Sequence, residues 1–188
     1  GGARALGVAS GGDCLADAEV QVLACRALQH LAASEEGATR ISEDGGCALC
    51  VAAIDAHADD ALVQQVACHA LELIAFGGAV PCSRGVAEGV VGAVLRVLKT
   101  QRGKVGALRA ALAALQAILS DGEGARQRVV TGGGLKAIVD ILGDAKGDAN
   151  IQYWGRLLLQ SLCAENHDLR AEAARKLHWK GIELDLSS

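Results

Sequence analysis

Cys47-Ala-Leu-Cys50 has the spacing of a zinc-binding or thiol–disulfide exchange pair. No second pair follows at a finger-like separation, and both cysteines open an apolar helix, so neither metal nor redox chemistry is expected of them. A di-iron hydroxylase built on a helical scaffold needs His-Glu pairs on facing helices. Here His30, His57, His69, His167 and His178 precede Leu, Ala, Ala, Asp and Trp. Gly132-Gly133-Gly134 could offer backbone amides to an anion at a helix start. The Gly-Lys-Ser/Thr that completes a P-loop is missing, however, and no strand precedes the glycines. Ser34 and Ser42 stand near His30 without an orienting acid or a nucleophile turn. The chain reads as non-enzymatic, with no cofactor and no metal.

The elements that would position any such residue follow from composition and period. Hydrophobic residues make up 51% of the 188 and aromatics 2%, so the core must be built from Ala, Val, Leu and Ile. A single proline, Pro81, leaves almost every segment free to be helical. The net charge of -4 supplies no general basic field for a phosphate backbone, and nucleic acid is not an expected partner. Gly, Asp, Arg and Gln interrupt every apolar run before it reaches the roughly 20 residues that cross a bilayer, so membrane insertion is not expected either. The seven cysteines are too sparse for a disulfide-stapled secreted domain, and most sit on apolar helical faces. They read as small buried hydrophobes of a protein in a reducing, intracellular setting, cytoplasmic or nuclear, with a cilium among the possible sites; disulfides are the other reading. The chain has no methionine and no basic leader at its start, which fits a piece of a longer protein.

Leu28, Leu71, Leu115 and Leu159 are spaced 43, 44 and 44 residues apart. Leu31, Ile74, Ile118 and Leu162 keep the same intervals, so one supersecondary unit recurs about four times. In the first long helix Val20, Leu23, Ala24, Ala27, Leu28 and Leu31 follow helical spacing and predict one buried face. A second helix carries its own columns, Val51, Val94 and Ile138, then Ile54, Val97 and Ile141. Glycines at Gly45-Gly46, Gly89 and Gly132 to Gly134 mark the corners between helices. The whole of 1–188 is expected to form a single repeat domain, with units at about 17–60, 61–103, 104–147 and 148–188. The last unit is divergent and could serve as a C-terminal cap.

A unit of this length, with a long helix, a short helix, a glycine corner and a further helix, resembles the armadillo repeat over residues 17 to 165. The pattern is carried by Ala24, Ala27, Leu28, Leu31 and Ala32, and again by Ala67, Ala70, Leu71, Ile74 and Ala75. HEAT repeats are similar in length but usually have two helices and less need of the corner glycine. The resemblance implies an all-α, right-handed superhelical solenoid of three-helix repeats, HEAT-like as the runner-up. It also implies a concave surface lined by the long helices that accepts extended peptides.

Importin-like members of that family carry a ladder of Trp and Asn on this surface. The corresponding positions here are Arg26, His69, Ala113 and Leu157 for Trp, and His30, Leu73, Ala117 and Ser161 for Asn. No rung is present, so basic nuclear-localisation peptides are not expected to bind by that mechanism. Beside the missing ladder runs a polar column, Gln29, Glu72, Gln116 and Gln160, that could either engage a ligand backbone or form a solvated helix face. Gln65, Arg109 and Tyr153 complete the expected partner-binding set with Arg26, His30 and His69. Tyr153, Trp154 and Trp179 gather most of the aromatic content near one end, as interface anchors or as packing. Lys99, Arg102, Lys104, Arg109, Arg126 and Arg128 make a basic stretch that contrasts with the acidic first two units.

The expected function is a non-catalytic scaffold that binds a partner protein or extended peptide, on the long-helix surface or at an end of the stack. The alternative is a structural or regulatory arm of a larger protein with little binding of its own.

Overall fold

The computed structural model describes residues 13–77, 86–120, 122–164 and 166–183. Among these residues the chain is helical throughout and contains no strand. A short α1 (Asp13–Ala16) leads into α2 (Ala18–Leu31), α3 (Glu35–Glu43) and α4 (Gly46–Ala56). Then come α5 (Ala61–Phe76), α6 (Val86–Thr100), α7 (Val105–Leu119), α8 (Glu123–Thr131) and α9 (Gly134–Asp144). The chain finishes with α10 (Ala149–Cys163) and α11 (His167–Trp179). The long helices α2, α5, α7 and α10 stack side by side in that order, and the second helices α4, α6 and α9 form a parallel layer behind them. This is an all-α solenoid. Pro81 and the irregular stretch around it lie outside the described residues.

The leucine column forms the seam between the layers. Leu28, Leu71, Leu115 and Leu159 are 1%, 2%, 0% and 0% exposed. Ile74, Ile118 and Leu162 are buried beside them, but Leu31, the first member of the second column, is 48% exposed. Leu23, expected on the buried face, is 63% exposed. Both departures have one cause: among the described residues α2 has a long helix on only one side, so the flank that the other units cover with a neighbour is left open.

Each long helix starts at a fixed place for a local reason. Asp17, Asp60 and Asp148 are N-caps whose carboxylates accept backbone N–H groups of the first turn, at 2.9 Å for Glu19, Leu62 and Ile151. These aspartates keep the repeat interval, and at the same position in the third unit Lys104 stands without a side-chain cap. Buried amides lock the preceding corner. Gln64 Nε2 donates to Ile54 O and His57 O, both at 2.8 Å, and Gln152 Nε2 donates to Leu142 O at 2.8 Å and Ala145 O at 3.1 Å. The orphan carbonyls at the end of one helix are thereby satisfied by the next one.

Gly45 and Gly133 each hold a left-handed backbone, φ +89° and +80°, at the entry to α4 and α9, where a side chain would be strained. Gly89 differs from the sequence expectation. It lies inside α6, in the first turn, and so is not a corner between helices.

Candidate functional site

The open face of α2, α5 and α7 presents side chains that the packing does not consume. Arg26, His30, His69 and Arg109 are exposed there, and Tyr153 is 62% exposed on α10. Arg26 and Arg109 make no ion pair or hydrogen bond among the described residues. At the family's ladder positions, Ala113 and Ala117 are buried, while Leu73, Leu157 and Ser161 are half-buried. The α7 part of the surface is therefore a smooth floor of small residues between polar walls.

The Gln29, Glu72, Gln116 and Gln160 column is half-buried along its length. Gln29 Nε2 donates to Val66 O on α5 at 2.7 Å, and Gln116 Nε2 donates to Ser161 Oγ on α10 at 3.0 Å. Two members of the column thus bridge neighbouring long helices, spending donors that a ligand would otherwise meet. Gln65 is also half-buried, with its amide filling the space that Gly106 of α7 leaves open. Glu72 lies between these bridges. Burial pushes its carboxyl up from the ordinary glutamate range, and the charges of His69 and Arg109 pull it part of the way back.

Several charges outside this face are paired. Arg102 reaches Asp144 at 3.1 Å and Asp140 at 3.6 Å, and Asp140 also receives Lys136 at 2.6 Å and Lys180 at 3.1 Å. Arg96 pairs with Asp55, Arg126 with Glu123 at 3.3 Å, and Lys99 donates to Gly132 O at 3.2 Å. Of the basic stretch seen in the sequence, Arg102 and Arg126 are thus paired with carboxylates. Arg26 and Arg109, both on long helices, have no ion pair among the described residues, and the half-buried Glu72 is the acidic group that feels Arg109.

The other chemical candidates of the sequence settle into the core or the ends. Cys47 and Cys50 are buried on α4, together with Cys25 and Cys68. The hydrogen bond with Cys25, and then burial, push the Cys50 thiol well up; burial does the same to Cys68, which keeps both protonated and unreactive. No group of three or more His, Cys, Asp or Glu among the described residues is placed to hold a metal ion. No described helix is long and apolar enough to cross a membrane. Ser34 caps α3 by accepting Gly37 N–H at 3.1 Å. Tyr153 and Trp154 meet edge to face at 5.4 Å; Trp154 packs on the core, and Trp179 stands 90% exposed at the end of α11.

Neither the capping aspartates nor the corner glutamines were singled out from the sequence, although both keep the repeat interval. Their period was visible; their role needed the helix ends in space.

No family model matches the chain, and the comparison with curated proteins gives no match. Solved structures do match. An engineered protein superposes with a TM-score of 0.73 at 23% identity, covering 96% of this chain and 68% of its own. A second engineered protein gives 0.73 at 25% identity, over 96% of this chain and 41% of that one. A designed armadillo repeat protein in complex with the peptide (KR)4 gives 0.70 at 20% identity, over 95% and 80%. The chain has an armadillo-like repeat fold.

Proposed function

We propose that this chain is a non-catalytic scaffold whose long-helix face holds an extended, acidic segment of a partner protein. The observation that carries the reading is the row Arg26, His69 and Arg109 across α2, α5 and α7, exposed and without acidic partners apart from the half-buried Glu72. A protein of net charge -4 that leaves Arg26 and Arg109 unpaired on this face is electrostatically complementary to a negative ligand there. The designed relative binds (KR)4, which supports use of such a surface for an extended peptide. The sign of the charge here favours the opposite ligand. Gln65 and Gln160 line the same face as secondary polar contacts, and Tyr153 offers an aromatic anchor at its far side. Six cysteines outside any disulfide among the described residues support a reducing, intracellular setting.

Fluorescence anisotropy with two labelled octapeptides, one of alternating Asp and Glu and the other (KR)4, tests this reading. The acidic peptide should bind, with affinity falling as salt rises, and (KR)4 should not. Reversing two exposed contacts at about 0.2 to 1 kcal/mol each should weaken acidic binding by roughly twofold to thirtyfold in Arg26→Glu/Arg109→Glu. Equal binding by the variant and the wild type would remove this face from the account.

A further inference from the structure

At the position held by Cys25, Cys68 and Leu112 in the first three long helices, the fourth carries Arg156, at the same repeat interval. The three earlier residues are 1%, 0% and 0% exposed and belong to the apolar seam. Arg156 places a guanidinium where that seam would continue. Its Nε is shut off from solvent without an acceptor, and the side chain makes no ion pair among the described residues. A buried charged donor left unsatisfied is costly, and a native structure that keeps one commonly has an acceptor to supply.

Arg156 lines an open cleft at the end of the stack, formed by the turn between α9 and α10, the first half of α10, and the residues that close α11. Lys146, Gln152, His178, Gly181, Ile182 and Glu183 complete the lining. Lys146 Nζ is held at 2.6 Å from Lys180 O, which fixes the ammonium at the cleft without neutralising it. Gln152 donates its amide N–H groups to the α9 end, and Arg156 Nε takes no acceptor from it. Two permanent cations and an imidazole thus face one carboxylate, that of Glu183, which forms no ion pair with any of them among the described residues.

We propose that this cleft is a binding site for an oxyanion of the phosphate type, with Arg156 as the principal donor and Lys146 as the second cation. The planar guanidinium matches a tetrahedral oxyanion through its parallel N–H donors. A free phosphate ion and a phosphorylated side chain share this chemistry. The site is independent of the long-helix face, since Arg156 belongs to the buried column and not to the exposed row.

Isothermal titration and thermal unfolding with inorganic phosphate test the proposal, at constant ionic strength with chloride and acetate as the comparison anions. Phosphate should raise the unfolding midpoint in proportion to the logarithm of its concentration above the dissociation constant. Arg156→Leu should weaken phosphate binding at least tenfold while folding normally, because Leu112 already fills the equivalent position in the third unit. Arg128→Gln, on α8, should leave phosphate binding unchanged. O-phosphoserine binding more tightly than inorganic phosphate assigns the site to a phosphorylated side chain, and weaker binding assigns it to the free ion. A phosphate effect no larger than that of chloride, one that survives in Arg156→Leu, or one that acetate matches overturns the proposal.

Discussion

Replacing Gln64 by leucine isolates the corner lock, because the two side chains are similar in size and Leu108 occupies the same position in the third unit. Gln64 is buried, and its amide serves Ile54 O and His57 O. His57 O keeps a second donor, Asp60 N at 3.1 Å, so it loses one of two bonds. Ile54 O keeps no donor outside its own helix. The first loss costs about 1 kcal/mol and the orphaned carbonyl about 1 to 3 kcal/mol. The apolar leucine returns part of this, since burying an amide carries its own desolvation cost. The net expectation is a destabilisation of about 2 kcal/mol, or roughly thirtyfold in the folding equilibrium and about 4 to 8 °C in midpoint for a chain of this size. Urea unfolding followed by circular dichroism measures it, with the slope checked against wild type because stacked units need not unfold together. Gln152→Leu, which removes the same pair of bonds in the fourth unit, should be destabilising too, but less so because Gln152 is only half-buried. A Gln64→Leu protein within about 0.5 kcal/mol of wild type, inside the usual range for surface changes, would refute the corner-lock reasoning.

Lys104→Asp should restore the missing N-cap of α7 and raise stability by about 0.5 to 2 kcal/mol in the same urea assay. Leu71→Ala should cost about 2 to 5 kcal/mol by opening a cavity in the seam, read as a lowered midpoint with loss spreading to the neighbouring units. Gly155→Ala should cost about 1 to 3 kcal/mol, because its Cβ would stand 2.7 Å from Leu142 Cδ2 and 3.0 Å from Cγ. Glu72 has a folded-state pKa above its unfolded one, so the native chain holds more protons between the two. Its contribution is therefore full below the ordinary glutamate range and lost as pH rises through the raised value. Denaturation across a pH series that starts below the ordinary glutamate range and rises above it should show a shallower pH slope in Glu72→Gln.

Much of the architecture was legible because burial repeats with the unit. One leucine column, two second-helix columns and paired glycines sufficed to place eleven described helices in a solenoid. The errors fell where the period meets a boundary. Leu23 and Leu31 carry the right spacing but lack a neighbouring helix on one flank, and Gly89 keeps roughly the interval of a corner while its helix has already begun. The polar column was harder to read. Gln29 and Gln116 have the spacing of ligand-facing residues, yet their amides reach a backbone carbonyl and a serine hydroxyl of the adjacent helix. Spacing says which face a residue occupies, and a face on a stacked helix can border either solvent or the next helix.

The sequence by itself determined the repeat, the helical class and the absence of a Trp and Asn ladder, because these depend on periodicity and residue type along one chain. Only the tertiary structure decided which charges are free. Arg102 and Arg109 are seven residues apart, one held by Asp140 and Asp144 and the other left on the open face. Pairing requires a partner within a few ångströms, and that proximity comes from layers that bring residues about 40 positions apart into contact. The same reason exposed Arg156, whose place in a column of Cys25, Cys68 and Leu112 acquires meaning once the column is seen to be buried.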